Sequence, residues 1–493
     1  MERGSGVLLH VTSLPSAHGI GTFGGAAYEF IDFLKRAGQK YWQILPLSPT
    51  GYGDSPYQSY STFAGNPYLI DLDKLSESGN LKPEQYNNIV WNENPEFVDY
   101  GKQFENRIKV LRLAYEADKA DLKDELLKFR VEQSYWIDNY AMFMALKCEN
   151  NFVPYWQWDA DILLRKPDAM QSAYERLTDE IGFWTYVQYR FFEQWKKLKA
   201  YANKNGIKII GDIPIYVAED SADAWAHDEI LQLDENRRPR VIAGCPPDYF
   251  SPDGQLWGNP LYDWDRLKSV DYEWWIMRIK AVLTMCDYIR IDHFRAFSEY
   301  YAIPFGDETA VNGKWEKGPG IEFFDKVKEK FGGELPIIAE DLGLIDDKVR
   351  SLLKQTGFPG MKVLQFAFEK GADSEYLPHK HVKNCVAYIG THDNDTVVGW
   401  LKNETGENLE YARKYMRLND AESERMGVIK TLFASTADVS IITMQDILGL
   451  DEHSRMNVPA RAGGNWQWRL MNNFLFFDQT ADWLLDLTGL YGR

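Results

Sequence analysis

Short runs along the chain alternate apolar and polar positions at period two, and the stretches between them carry apolar residues at helical spacing. Period two is the side-chain repeat of a strand; a spacing near 3.6 is that of a helix. The first run, GVLLHVTSLPS, starts at Gly6, and the second, YWQILPLSP, at Tyr41. Residues 26–38 between them have helical spacing and stop at Gly38, as helices often do. This opening predicts strand, helix, strand, the start of a parallel α/β fold. IKIIGDIPIYV (207–217) predicts a third strand and YIRIDHFR (288–295) a fourth. LPIIAEDLG, MKVLQFAF, NCVAYIGTHDND and VSIITMQDILG predict four more, at 337–340, from Met361, from Val386 and from Val439. Helical spacing recurs over 272–285, 321–331 and 346–356. Eight strands alternating with helices predict an α/β fold of the (β/α)8 TIM barrel class. The stretch after Asn465 reads as the last barrel helix and leaves little chain for a separate C-terminal β-domain.

Two interruptions break this pattern, so a single barrel domain over 1–493 with two insertions is expected. Residues 50–205 hold no comparable buried strand. GYGDSPYQSYSTFAGNPYLID reads as a loop, helices are predicted over 104–129 and 132–148, and Trp156, Trp158, Trp184 and Trp195 follow. That is too apolar for disorder and predicts a mostly helical subdomain. Residues 218–270 contain CPPDYFSPDGQLWGNPLYDW, whose Pro, Gly and Asp density reads as loop. Tyr249, Phe250 and Trp257 give that loop an aromatic surface.

Composition narrows the function. The 493 residues are 45% hydrophobic and 26% charged, a globular makeup long enough for a large core. Acidic residues outnumber basic ones, 73 to 55, for a net charge of −18. That argues against nucleic acid or anionic membranes as partners and suits a neutral substrate. The 17 Trp and 28 Tyr supply flat rings that pack cores and can also stack on sugars. Cys148, Cys245, Cys286 and Cys385 lie far apart with no CxxC pair, which points to free thiols in a reducing compartment. The N-terminal apolar stretch is too short for a signal peptide and no apolar run can span a bilayer, so a cytoplasmic location is expected.

Active sites of this fold class are built at the C-terminal ends of the strands. The fourth strand puts Arg290 and Asp292 on one side and Ile289 and Ile291 on the other. A guanidinium there would keep Asp292 ionised and able to act as a nucleophile. The third strand ends in Asp212, and the fifth in Glu340 and Asp341. The seventh ends in His392, Asp393, Asn394 and Asp395, and the eighth in Gln445 and Asp446. Helix capping would account for Asp341, Asp395 and Asp446. It accounts poorly for the whole set, because carboxylates converging on one barrel mouth repel each other. Two chemistries compete. A metal site would draw on His and Asp, but the first strand offers only His10, there are 8 His in all, and HExxH is missing. No metal and no cofactor are expected. Glycosyl transfer needs one carboxylate nucleophile and one carboxylic acid proton donor, and those residue types stand at the strand ends.

IRIDHFR, AEDLG and GTHDND resemble the three signature segments of the α-amylase superfamily, and GDIPIYV is similar to its strand-three segment. LPLSPTGYGDSPYQSYSTFAGNPYLI, PPDYFSPDGQLWGNPLY, the opening SLPS and the late GNWQWR are similar to the amylomaltase family of 4-α-glucanotransferases, in order over nearly the whole chain. The resemblance implies Asp292 as nucleophile, Glu340 as proton donor and then base, and Asp393 as stabiliser of the oxocarbenium-like transition state. It implies that Arg290 orients Asp292, and that His392 and Asp212 bind the sugar ring at the cleavage point. Ser55 and Tyr57 would line the donor side, and Asp248, Gln255 and Trp257 the acceptor side. Asn465 would add a hydrogen bond and Tyr100 a glucan contact. The role of His293 stays open. Some members carry PGT before the late NW segment; here Pro459, Ala460, Arg461 and Ala462 stand there, with Arg461 where small residues are common.

The implied reaction moves an α-1,4-glucan segment from a maltooligosaccharide or starch to the 4-hydroxyl of an acceptor glucose or maltooligosaccharide. Glu340 must then stay protonated near neutrality, so a neighbouring ionised carboxylate should raise its pKa. An amylase-type hydrolase using the same three carboxylates is the alternative. A non-catalytic glucan-binding protein would be expected to lack one of them.

Overall fold

The structure is a computed structural model that describes residues 1–51, 53–247, 252–343, 345–369, 371–419, 421–459, 461, 463–471 and 477–493. Its strands, in chain order, are β1 (Gly4–Leu8), β2 (Tyr41–Gln43), β3 (Lys208–Ile213), β4 (Val241–Cys245), β5 (Gln255–Pro260) and β6 (Tyr288–Ile291), then β7 (Glu299–Pro304), β8 (Lys314–Lys317), β9 (Ile337–Ala339), β10 (Gly360–Val363), β11 (Cys385–Tyr388) and β12 (Val439–Thr443). Eight form one sheet in the order β10-β11-β12-β1-β2-β3-β6-β9, with every pairing parallel. The Ala339 N–H donates to the Pro359 carbonyl at 2.9 Å, which brings β9 to the chain entering β10 and nearly closes the barrel. The eight predicted strands are these eight.

Alternation explains why they close. Leu8, Tyr41, Ile210, Ile338, Met361, Val386, Tyr388, Val439 and Ile441 pack together inside the barrel. Their neighbours Val7, Trp42, Ile209, Ile289, Ile337, Ala387 and Ile442 join the core shared with the helices. Strands buried on both faces are what a barrel wrapped in helices requires. Each fully buried aliphatic side chain contributes about 1.5–3 kcal/mol. Gly6 serves a close approach: a Cβ there would meet the Tyr41 carbonyl oxygen at 2.4 Å.

The predicted outer helices appear at Gly25–Arg36, Glu273–Met285, Gly320–Phe331, Asp347–Thr356 and Phe477–Leu490. Within 50–205 the segment read as one helix over 104–129 is two, Tyr100–Asp118 and Lys123–Glu132. The break follows Asp118, whose buried carboxylate pairs with Arg190 and accepts the Tyr186 hydroxyl. That tertiary grip outweighs helix propensity in the next four residues. The Thr178–Lys204 helix packs on the barrel itself: Phe191 meets Phe23 at 5.1 Å, and the Trp195 indole N–H donates to Met285 O at 3.0 Å.

The stretch 218–270, read as loop, contains β4 and β5. They build an antiparallel sheet in the order β5-β4-β7-β8 beside the barrel mouth. Its strands are short and interrupted by Gly and Pro, and β4 finds its second partner, β7, only beyond β6. Among the described residues no helix is long and apolar enough to cross a membrane.

Candidate active site

The site grows out of β6. Ile289 and Ile291 point into the helix-side core. Arg290 turns the other way and is 4% exposed in its side chain. Its Nη1 donates to both oxygens of Asp212, at 2.9 and 2.7 Å, and its Nη2 donates to Asp292 Oδ1 at 2.7 Å. One planar guanidinium thus clamps two carboxylates from neighbouring strand ends, which a lysine could not do in this geometry. Burial works against the Arg290 charge, but Asp212 and Asp292 outweigh it and raise its pKa above the ordinary arginine value. Asp212 is sealed at 0% side-chain exposure, while Asp292 keeps 32% and opens to the cleft.

A testable consequence concerns stability. Arg290→Met leaves Asp212 buried beside Asp292 with no counter-charge, at a cost of about 3–5 kcal/mol. The expected result is a lower Tm at neutral pH, partly recovered in acid, where the stranded carboxyl binds a proton more tightly folded than unfolded. An unchanged Tm would contradict the clamp.

Glu340 follows β9. His293 adopts a left-handed backbone, φ 53°, so its N–H turns to Glu340 Oε2 at 2.7 Å. The Leu342 N–H holds Oε1 at 2.8 Å. Those donors and Arg290 favour the anion, yet burial and then the charge of Asp292 raise Glu340 to about 7. A carboxyl tuned to the working pH beside an ion-paired one separates acid from nucleophile. The open question about His293 has a structural answer. Its backbone orients Glu340, and its imidazole, pushed by burial to about 4, meets the edge of Trp257 at 4.9 Å.

Asp393 and His392 lie in the loop after β11. The His392 ring stacks on Tyr57, centroids 5.2 Å apart and 18° from parallel, and leans on Trp466 at 5.7 Å. The Tyr57 hydroxyl donates to Asp212 Oδ2 at 2.8 Å. Burial, then the charges of Asp212, Asp292 and Asp393, set against that of Arg290, raise Tyr57 well above the ordinary tyrosine value. Tyr57 is therefore the side chain around which the strand-end carboxylates gather.

The other anticipated residues stand further out. Ser55 Oγ accepts the Tyr57 N–H at 3.2 Å and fixes the turn that delivers the tyrosine. Gln255 Oε1 accepts the Trp257 indole N–H at 3.1 Å on β5, so these two act as one unit on the antiparallel sheet. Tyr100 is nearly buried; its hydroxyl donates to Trp466 O at 3.0 Å, and its ring borders a cavity of about 380 Å³ with Asp54, Tyr68 and Trp184. Asn465 spends its amide within its own loop, accepting the Val458 N–H at 3.0 Å and donating to Arg461 O at 3.0 Å. Asp248, like Tyr249, Phe250, Ala460 and Ala462, lies outside the described residues.

Three strand-end carboxylates are structural, but not as the helix caps expected, since the capping residues of the helices that follow those strands are Asp346, Thr396 and Thr443. Asp341 accepts the Met361 N–H at 2.6 Å, Asp395 the Thr396 N–H at 2.8 Å, and Asp446 the Val397 N–H at 2.7 Å. His10 accepts the Leu45 N–H on Nδ1 and is held neutral, burial taking it to about 3. Among the described residues no group of three or more His, Cys, Asp and Glu is arranged to hold a metal ion. Arg455 and Asn457, which contact Asp393, went unanticipated; in sequence they are two polar residues in a loop.

A family model for 4-alpha-glucanotransferases matches residues 9–473. The chain belongs to the 4-alpha-glucanotransferase family. The 4-alpha-glucanotransferase of Clostridium butyricum is 49% identical over 488 residues, which are 98% of this chain and 100% of that protein. That of Thermus thermophilus is 44% identical over 486 residues, 96% of this chain and 95% of that protein. The solved amylomaltase from Streptococcus agalactiae in complex with acarbose is 45% identical, with a TM-score of 0.97 and 100% of each chain covered. The amylomaltase of Corynebacterium glutamicum, 18% identical, shares the fold with a TM-score of 0.80, over 100% of this chain and 75% of that one. The chain is thus an enzyme of glucan transglycosylation, as the transferase reading expected, rather than a hydrolase or a glucan-binding scaffold.

Proposed function

We propose that Asp292, Glu340 and Asp393 carry the transfer by a retaining double displacement. In the first step an Asp292 oxygen bonds to the anomeric carbon while the bond from that carbon to O4 of the leaving sugar breaks. The Glu340 proton goes to O4. In the second step the 4-hydroxyl of an acceptor attacks the same carbon, its proton passes to the Glu340 carboxylate, and the ester to Asp292 breaks. Two inversions restore the α configuration. Asp393 stabilises the positive charge that develops on the ring in both steps.

The observation that carries this reading is the contrast between the two carboxyl groups: Asp292 clamped by Arg290, and Glu340 raised to about 7 beside it. Asp212 and His392 hold the ring at the cleavage point, with Ser55 and Tyr57 on the donor side, and Tyr100 adds a glucan contact. Asp248, Gln255 and Trp257 serve the acceptor side, where a fixed sugar outcompetes water by position. Free thiols at all four cysteines support a cytoplasmic location.

Incubation with maltotriose tests the reaction. A ladder of longer oligosaccharides plus glucose, at constant reducing ends, is expected. A steady rise in reducing ends would reject transfer. The pH profile tests the acid. Glu340 must be protonated to release O4, so kcat/KM for maltotriose should fall as pH rises through about 7. A flat profile from pH 6 to 8 would remove Glu340 from that role.

A further inference from the structure

Asp393 leaves β11 on a loop and keeps 44% of its side chain exposed. An exposed carboxylate ordinarily samples several rotamers within nanoseconds. This one is gripped by the segment after β12. Asn457 Nδ2 donates to Asp393 Oδ1 at 2.6 Å, and the Asn457 N–H donates to His392 O at 3.1 Å. Arg455 Nη2 donates to the Asp393 carbonyl at 2.6 Å, and Arg455 Nε to the Asn457 carbonyl at 2.8 Å. The bonds form a ring: Arg455 fixes the backbone of both residues, and the Asn457 amide then reaches the carboxylate.

We infer that Asn457, braced by Arg455, is a positioning residue that aims Asp393 at the sugar by pinning one carboxylate oxygen and leaving the other for substrate. The inference rests on the reading of Asp393 as transition-state stabiliser. Asp393 Oδ2 takes no part in the Asn457 bond and lies 3.3 Å from His392 Nε2. The choice of an amide has a reason. Lysine or arginine in the same place would orient the carboxylate but offset its charge. A neutral donor fixes direction without adding a cation on the carboxylate itself, whose charge stays available to the oxocarbenium-like ring, which is electrostatic preorganisation.

The test uses Asn457→Ala, Asn457→Asp, Asp393→Ala and the Asp393→Ala/Asn457→Ala double variant of the full-length enzyme. An α-glucosyl fluoride donor removes the need for Glu340 to protonate the leaving group. Asn457→Ala should lower kcat by about ten- to a hundredfold, the scale of losing orientation, with KM changed by less than about threefold. In the Asp393→Ala background the same change should cost nothing further, because the group it aims is gone. Asn457→Asp, close in shape, places two carboxylates together. They keep the bond only while sharing a proton, so its activity should survive in acid and fail at a lower pH than the unmodified enzyme's. A kcat for Asn457→Ala within about twofold of the unmodified enzyme, an equal loss in the Asp393→Ala background, or an unshifted pH profile for Asn457→Asp would each overturn the inference. Undiminished turnover by Asp393→Ala would instead overturn the role of Asp393.

Discussion

Asp292→Asn lowers turnover of maltotriose on the order of ten-thousandfold or more, while binding of maltooligosaccharides survives. The substitution is nearly isosteric. Its amide oxygen can still accept from Arg290 Nη2, now at 2.7 Å from Asp292 Oδ1, and its main-chain N–H keeps the 2.9 Å bond to Ile213 O. The cleft should therefore keep its shape, and what disappears is the nucleophile. Asp292→Ala gives the complementary result. It opens space on the face from which Asp292 attacks, so azide with a glucosyl fluoride donor should yield the β-glycosyl azide. Calorimetry with a maltooligosaccharide and product analysis separate binding from chemistry. Turnover within about tenfold of the unmodified enzyme would refute the assignment.

Glu340→Gln has the second largest expected effect, a loss of about a hundred- to ten-thousandfold on maltotriose, the span typical of general acid catalysis. Its signature lies in the leaving group. Fluoride departs without a proton, so the first step should proceed on a glucosyl fluoride, and the alkaline fall through about 7 should vanish with the group that titrates. The second step lacks its base, so the covalent intermediate should accumulate. Both Glu340 oxygens accept main-chain N–H bonds, from His293 and Leu342. The amide end of Gln would set donor against donor at one of them. Glu340→Ala avoids that conflict and should show the same dependence on leaving group. Equal losses in the rate of the first step, read as the initial burst of leaving-group release, on both donors would point to damaged geometry rather than a missing acid.

The eight barrel strands were legible because burial on both faces writes a local pattern that needs no knowledge of the partner strand. The antiparallel sheet was not. β4 and β5 are short, carry Gly and Pro, and make sense only once β7 arrives from beyond the central strand. The helix break after Asp118 was hidden for a related reason: the deciding partner, Arg190, is distant in sequence. At the site, Arg290, Asp292, Asp212 and Glu340 could be read from strand ends, where side-chain alternation fixes direction. The partner of Tyr57 could not, since a tyrosine in a Gly- and Ser-rich loop gives no sign that its hydroxyl will reach Asp212. Arg455 and Asn457 left even less trace. Their bonds to Asp393 and its neighbour exist only because β11 and β12 are adjacent in the barrel.

All of this depends on a sugar that is briefly esterified to Asp292. Incubating the enzyme with a 5-fluoro glycosyl fluoride, which slows breakdown of the ester, and digesting it for mass spectrometry reads that bond directly. The expected mass addition lies on the peptide containing IRIDHFR, at Asp292, and is lost when a maltooligosaccharide acceptor is supplied. A label on any other residue, or products of inverted anomeric configuration, would contradict the mechanism.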